Sequence, residues 1–204
     1  MVNLFMIWVC SDWHFNHDQE FIWKARGFNS VAEMNEQIVK RHNSIVAEDD
    51  DVYVLGDLCM GDDLESNKNF IEQLNGRIHV VFGNHCTANR QKMYLDCKNI
   101  VEICGYATVI KYKKYSFYLS HYPTNTGNYD DDGRGLKGQM INLCGHLHTT
   151  DEYEDMDRGQ LSYHVDMDAH YCYPTSVEKI IATLKHYYDE CDCDGKCTEC
   201  KCQK

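Results

Sequence analysis

Seven side chains with metal-binding chemistry follow directly after short apolar runs in this sequence. One such run extends from Asp51 to Leu55 and closes on Gly56 and Asp57. Five runs of this kind bring two carboxylates, one amide and four imidazoles: Asp12, His14, Asp57, Asn84, His121, His146 and His148. This mixture of oxygen and nitrogen ligands suits borderline divalent ions such as Mn, Fe, Ni or Zn. It suits neither an all-oxygen calcium or magnesium cage nor a closed thiolate site.

The apolar runs also predict why these side chains meet. Their β-branched and aromatic residues, bounded by Gly, Ser and Asp, are typical of buried strands. Open sheets place their sites at the carboxyl ends of such strands. We therefore expect the whole set at one edge of a sheet, with Asp57 at its centre. Seven ligands are too many for one ion, so we expect two ions that share one carboxylate and stay open to water.

Helices are predicted between the strands of the first half. Ser30-x-x-Glu33 has the form of a capping box. It opens an amphipathic helix of about four turns, whose apolar positions are Val31, Met34, Ile38 and Ile45. A second helix is expected from Leu64 to Leu74, closing at Gly76, and a short one from Thr87 to Cys97. This alternation of strand and helix favours βαβ units and a parallel sheet.

Strands predominate after residue 100. The segments 100–104, 107–112 and 115–121 leave almost no room for helices, which favours antiparallel pairing in this half. A second capping box, Thr175 to Glu178, opens a last helix that runs to about Tyr188. We expect an α/β fold, a four-layer αββα sandwich of two mixed sheets with flanking helices. One domain is predicted for residues 1–188, followed by a Cys-rich, flexible tail at residues 189–204.

Composition and charge narrow the class of protein. A hydrophobic content of 43% over 204 residues is typical of a globular chain. The formal charge of −12 disfavours a long nucleic acid as partner. Seven of the 12 cysteines are scattered, unlike a secreted disulfide framework. The apolar opening, Met1 to Cys10, is too short to span a bilayer. We therefore expect a cytoplasmic protein without a membrane partner, and the sequence carries no prediction of the oligomeric state.

The motifs resemble a known family in their order and spacing. Asp12-x-His14, Gly56-Asp57, Gly83-Asn84-His85, His121 and Gly145-His146-x-His148 are similar to the motifs of the calcineurin-like metallophosphoesterases. The resemblance covers roughly residues 3–182 and is greatest to the small stand-alone members from bacteria and their viruses. It implies that one ion is held by Asp12, His14, Asp57 and His148. The other would be held by Asp57, Asn84, His121 and His146.

The same resemblance implies a reaction. Hydroxide bound to the two ions would attack a phosphoester, and His85 would stand beside the scissile phosphate, where it protonates the leaving oxygen or stabilises charge. The sequence departs from many family members at Cys86, where they carry Asp or Glu. A thiol cannot accept the same hydrogen bonds as a carboxylate. Cys86 therefore either leaves the orientation of His85 open or is a packing residue.

Other polar residues admit two interpretations. His17 is either an additional ligand or substrate contact, or a surface histidine. His164 and His170 flank Asp166 and Asp168, and we interpret this segment as a polar strand end and not as a further site. The loop from residue 125 to 138 either shapes a substrate pocket or is a plain surface loop. The Cys-x₂-Cys spacing of the tail permits a zinc knuckle, but we interpret the tail as disordered or adventitiously metal-binding.

Charge and size indicate the class of substrate. The acidic surface and small size favour a small phosphorylated substrate, a nucleotide or cyclic phosphodiester. A nuclease acting on short RNA or DNA is the alternative, and a non-catalytic interaction module on the same fold is a further one. A protein phosphatase is disfavoured, because Gly56-Asp57 does not continue into the Gly-Asp-x-x-Asp-Arg-Gly run of those enzymes.

Overall fold

Two five-stranded sheets form the framework of the chain. The computed structural model describes residues 5–126, 136–156 and 160–190. In chain order the strands are β1 Ile7–Cys10, β2 Asp51–Leu55, β3 Arg77–Val81, β4 Ile100–Gly105, β5 Ala107–Tyr112, β6 Tyr115–Ser120, β7 Met140–Cys144, β8 Tyr153–Met156, β9 Gln160–His164 and β10 Thr175–Ser176. The first sheet has the order β10-β1-β2-β3-β4 and the second β5-β6-β7-β9-β8. Both sheets are mixed.

The predicted parallel half is confirmed for β1 to β4, which pair in parallel, while β10 joins the edge of β1 in antiparallel orientation. The prediction of an antiparallel second half is wrong for two reasons. Strand β4 belongs to the first sheet, and β6–β7 and β7–β9 pair in parallel. A parallel pair needs a long crossover, and residues 121–139 between β6 and β7 are long enough to supply one. Only β5–β6 and β8–β9 are antiparallel in this sheet.

Five helices flank the sheets in the described part of the chain: α1 Glu20–Trp23, α2 Val31–Asn43, α3 Leu64–Ile71, α4 Ala88–Leu95 and α5 Val177–Glu190. The Ser30 hydroxyl accepts the Glu33 N–H at 3.1 Å, as the capping box predicts. Two predicted ends were too late, because α2 stops before Ile45 and α3 stops at Ile71. At α5 the cap is Ser176, whose hydroxyl accepts the Lys179 N–H, and not Thr175.

The core has two parts, because successive strand residues point to opposite faces. One face of the first sheet packs against α2, α3 and α4, through Val52, Val54, Ile78 and Val80. The other face of the first sheet packs with the second sheet and with α5, through Val9, Leu55, Val81, Phe117, Leu119, Ile180 and Leu184. The predicted α/β architecture of two mixed sheets with flanking helices is confirmed. The division into one domain over residues 1–188 stays a prediction.

Several predicted features fall outside the described residues. Residues 127–135 of the loop between β6 and β7 do so, as does the tail from residue 191 onward. Across the described segments, none of the helices combines the length and apolar character needed to cross a membrane. What the framework does position is the carboxyl ends of β1, β2, β3, β6 and β7, where the candidate ligands lie.

Candidate metal centre

A first cluster of candidate ligands lies just beyond β1 and β7. The ligand atoms of Asp12, His14 and His148 all lie within 4.8 Å of one another. Asp12 Oδ1 is 3.6 Å from His14 Nε2 and 3.7 Å from His148 Nε2. The two Nε2 atoms are only 3.1 Å apart. Side chains from two distant parts of the chain, residues 12–14 and residue 148, therefore direct their lone pairs toward one point.

A second cluster, formed by Asp12, Asp57 and His121, adjoins the first. His121 Nε2 lies 3.3 Å from Asp57 Oδ2 and 2.8 Å from Asn84 Oδ1. His146 Nδ1 is 3.2 Å from the same His121 nitrogen. The structure thus brings all of the seven predicted side chains together. The carboxylate common to both clusters is Asp12, whereas the sequence put Asp57 at the centre, and a bridging role for Asp57 stays a prediction.

Local backbone conformation explains how the side chains reach one another. Nine non-glycine residues have positive φ in the described chain. Five of these are candidate ligands: Asp12 (58°), His14 (52°), Asp57 (52°), His146 (74°) and His148 (51°). A left-handed conformation costs an L-residue about 1–2 kcal/mol. Such strain collects at functional sites, and here it turns the chain sharply at the strand ends.

The glycines of the motifs allow the loops to approach the carboxylates. A Cβ on Gly83 would lie 2.3 Å from Asp57 Oδ1. A Cβ on Gly145 would lie 2.3 Å from Asp12 Oδ2 and 2.1 Å from the Ser11 hydroxyl. Both distances are far below van der Waals contact. Any other residue at these two positions would push the ligand loops apart.

The charges of the centre favour a bound cation. Burial raises the pKa of Asp12, but His14, His121 and His148 outweigh it and hold that pKa below its ordinary value. Burial lowers the pKa of His14 more than Asp12 raises it, so the imidazole is neutral and can act as a ligand. Asp12 Oδ1 is buried and has no hydrogen-bond partner among the described residues. An unpartnered buried carboxylate oxygen is costly, and a divalent cation would satisfy it together with the facing imidazoles.

Comparison with known proteins agrees with this geometry. Residues 5–193 match the family of calcineurin-like phosphoesterases. This chain belongs to the calcineurin-like phosphoesterases. An uncharacterized protein of Methanocaldococcus jannaschii is 28% identical over 180 residues, covering 88% of this chain and 91% of its own. A protein of unknown function from Aquifex aeolicus is similar in structure, with a TM-score of 0.62 and 20% identity, over 87% of this chain and 98% of that one.

The family makes this phosphoesterase a metal-dependent hydrolase. The family therefore does not support the alternative of a non-catalytic interaction module. The Asp/His clusters of the described chain fit metal ions. Within the described residues no competing cluster of three or more such ligands lies elsewhere.

Two further histidines border the ligands of the phosphoesterase. The His85 ring is partly exposed and lies 5.7 Å from the His14 ring, while its backbone N–H donates to Asp57 Oδ1 at 2.9 Å. The His17 ring is 5.2 Å from that of His14. Burial, with the nearby His14 and His85, lowers the pKa of His17 to about 4, so His17 is neutral at pH 7. The structure thus places His17 beside the clusters, not on a remote surface.

Residues that sequence reasoning missed hold the first cluster in place. His148 Nδ1 lies 2.9 Å from Asp168 Oδ2, and the His148 N–H donates to Asp166 Oδ1 at 3.2 Å. β9 ends at His164, so this segment is the polar strand end that the sequence suggests, and it also supports His148. Arg26 donates to both oxygens of Asp168, at 3.1 and 2.8 Å, and to the carbonyl oxygen of Asp12 at 2.8 Å. The carboxylate of Asp168 fixes the ring of His148 so that Nε2 faces the cluster.

Cys86 takes a structural place. Its sulfur accepts the Gly83 N–H at 3.2 Å and lies 3.9 Å from the Tyr94 hydroxyl. The His85 carbonyl is held separately, by Arg90 Nη1 at 2.6 Å. Of the two interpretations of Cys86, these contacts support the packing residue, because the thiol closes the loop while other groups fix the backbone of His85.

Proposed function

We propose that this phosphoesterase hydrolyses the phosphodiester bond of a small nucleotide, with two divalent transition-metal ions that the seven candidate ligands would hold. The observation that carries the proposal is that two arginines, Arg26 and Arg90, are already hydrogen-bonded within the protein. Arg26 is bound to Asp168 and to backbone carbonyls, and Arg90 to the carbonyls of His85 and Gly61. Neither guanidinium is free for a substrate. A phosphate monoester carries nearly two charges at neutral pH, and a diester carries one. Since both of these guanidinium groups are occupied, neither can pair with the second charge of a monoester, which favours the diester.

The proposed ligand sets are those implied by the family. Asp12, His14, Asp57 and His148 would hold one ion, and Asp57, Asn84, His121 and His146 would hold the other. When bound, two such ions supply a water that ionises near neutral pH and neutralise charge on the phosphoryl group. Manganese, iron, nickel and zinc all suit this donor set.

The chain itself contributes orientation and proton transfer. Asp168 holds His148 and the Leu55 carbonyl oxygen accepts from His121 Nδ1 at 2.8 Å, so both rings keep fixed positions. The His85 ring has no hydrogen-bond partner within the described segments and is open to a substrate. We assign it the proton that goes to the leaving oxygen, a contribution worth about 10²–10⁴ in rate.

Charge and cysteine chemistry support the remaining assignments. With a formal charge of −12, the protein repels a long polyanion, so a small nucleotide is favoured over extended RNA or DNA. Cys10, Cys59, Cys86, Cys97, Cys104 and Cys172 are free thiols. Free thiols persist in reducing compartments, which supports a cytoplasmic location.

The test compares substrates on the full chain after chelation and reloading with Mn²⁺. Bis-p-nitrophenyl phosphate should be turned over at least about tenfold faster than p-nitrophenyl phosphate, since Arg26 and Arg90 are both occupied and cannot pair with the second charge. A panel of cyclic mononucleotides, dinucleotides and short RNA or DNA oligomers then identifies the class. Faster hydrolysis of the monoester, or of oligomers with increasing length, would contradict the small-diester assignment.

A further inference from the structure

Exposed apolar side chains border a site whose chemistry is polar. Phe21 is 69% exposed, and Tyr122 and Leu147 are each 49% exposed. The Phe21 ring packs edge-on against His17 at 5.7 Å between centroids. The Tyr122 ring lies 4.6 Å from the ring of His146 and 5.1 Å from that of His121. Two aromatic faces are therefore exposed at the edge of the ligand set, one on His17 and one directly on the ligand histidines.

Neither the Phe21 ring nor the Tyr122 ring is part of the hydrophobic core, so the fold does not depend on them. In the single turn of α1, Ile22 is 8% exposed and supplies the contact with the core, while Phe21 points away from it. At Tyr122 hydrogen bonds fix the backbone, while the side chain stays 49% exposed. The Tyr122 carbonyl oxygen accepts the hydroxyls of Ser120 at 2.8 Å and Thr124 at 2.9 Å. The turn therefore holds the ring beside the second cluster without burying it.

The two rings lie on different sides of the centre. Phe21 contacts His17, which contacts His14 of the first cluster at 5.2 Å. Tyr122 contacts His121 and His146 at the second cluster. A phosphodiester held at the centre extends one ester arm to each side. A ring on either arm would then meet one of the two exposed aromatic faces, and stacking on such faces tolerates any base.

We infer that Phe21 and Tyr122 are stacking platforms for rings on the two ester arms of the substrate. This inference rests on the proposed phosphodiesterase function and narrows it. The preferred substrate is a diester with a nucleobase on each side of the scissile phosphate, a linear or cyclic dinucleotide. A cyclic mononucleotide, with one base, uses only one platform.

The experiment measures kcat/KM of the Mn²⁺-loaded full chain for a dinucleoside monophosphate and for p-nitrophenyl methyl phosphate, which has a ring on one arm only. Phe21→Ala and Tyr122→Ala should each lower the dinucleotide value about 5- to 100-fold, the usual loss for one stacked base. Only one of them should lower the value for the one-ring diester. The double variant should lose the product of the two factors, because the rings do not touch. Tyr122→Phe keeps the ring and should stay within about twofold of the wild type.

Two further readings separate binding from damage to the centre. The dissociation constant of a non-hydrolysable phosphonate dinucleotide, measured by calorimetry, should rise by about the same factors. Metal content should be unchanged in every variant. Phe5→Ala is the matched control, since Phe5 is 56% exposed but precedes β1 at the opposite end of the strand.

Each other outcome overturns the inference. Unchanged dinucleotide kinetics in both alanine variants would exclude stacking, and equal losses on the two substrates would show a general effect on the centre. If the wild type hydrolyses bis-p-nitrophenyl phosphate and the variants give either of these results, the stacking inference is wrong and the proposed function is retained. If the wild type hydrolyses no diester with any of the four metals, both fail together.

Discussion

The two ligand clusters are built with different support, although they share Asp12. In the first, Asp12 and His14 are almost fully buried, and His148 is oriented by a carboxylate that Arg26 holds in turn. In the second, Asp57 and His121 are as deeply buried, but Asn84 is exposed and His121 is oriented by the neutral carbonyl of Leu55. A carboxylate partner makes an imidazole a stronger ligand than a carbonyl partner does. We therefore expect the first site to bind its ion more tightly, and the second to exchange ions and ligands more readily.

The largest effect is expected at the carboxylates that join the clusters. Asp57→Asn should lower turnover by about 10³-fold or more, because two sites lose a shared charge. Turnover and metal content of Asp57→Asn and Asp12→Asn are to be measured side by side. If Asp57 is the bridge, its variant loses metal from both sites. Should Asp12→Asn empty both sites while Asp57→Asn empties only the second, the bridge is Asp12, as the clusters themselves place it.

A large effect on rate alone is expected at His85, which borders the first cluster without being in it. His85→Ala should lower kcat by about 10²–10⁴ while metal content stays at the wild-type level. A substrate with a good leaving group, such as a p-nitrophenyl ester, should lose less than a nucleotide, because it needs little protonation. Loss of metal in step with loss of activity would instead make His85 a ligand.

A moderate effect on the first site alone is expected from its support. Asp168→Asn keeps the size of the side chain but removes the charge that faces His148 and Arg26. The affinity of the first site for Mn²⁺ should fall by about 10–100-fold, and the second site should be unaffected, as calorimetric titration would show. Lys24→Ala is a control near Arg26, because Lys24 forms an exposed pair with Glu20. Equal weakening of both sites would contradict the difference between the clusters.

A small effect on stability, and none on catalysis, is expected at His42, which is buried at the end of α2. Burial lowers the pKa of His42 to about 4 from its ordinary value of 6.5. The unfolded chain therefore binds a proton between these pH values that the folded chain does not, and stability falls as the pH falls through this window. The loss is about 3 kcal/mol at most. In denaturant titrations of the metal-free chain, His42→Gln, which can still donate to the Asn75 carbonyl, should show a smaller loss from pH 7 to pH 4.5. An unchanged loss would place the acid sensitivity in the clusters.

The sequence predicts the ligand side of the centre well, because each ligand follows its own strand and strand ends converge in an α/β sheet. Local signals also locate the capping box at Ser30 and the glycines beside Asp57 and Asp12. The capping box joins residues three positions apart, and each glycine stands directly before a motif residue, Asn84 or His146, so both leave a readable pattern in the sequence.

The residues that orient the ligands could not be predicted in the same way. Arg26 meets Asp168 across 142 positions of the chain, and no local pattern marks a buried arginine for that contact. The pairing of β6 with β7 was missed for a related reason, since a loop's length permits a parallel return but does not require it. Long-range partners of this kind are decided by packing, which the periodicity of one segment does not contain.

Elemental analysis of the purified full chain tests the central claim most directly. After loading with Mn²⁺ or Zn²⁺ and removal of free ions, we predict about two ions per chain. We also predict that the Asp168→Asn variant releases one of the two at lower chelator concentration than the wild type does. A chain that takes up neither metal would contradict the claim that these strand ends hold a pair of divalent cations.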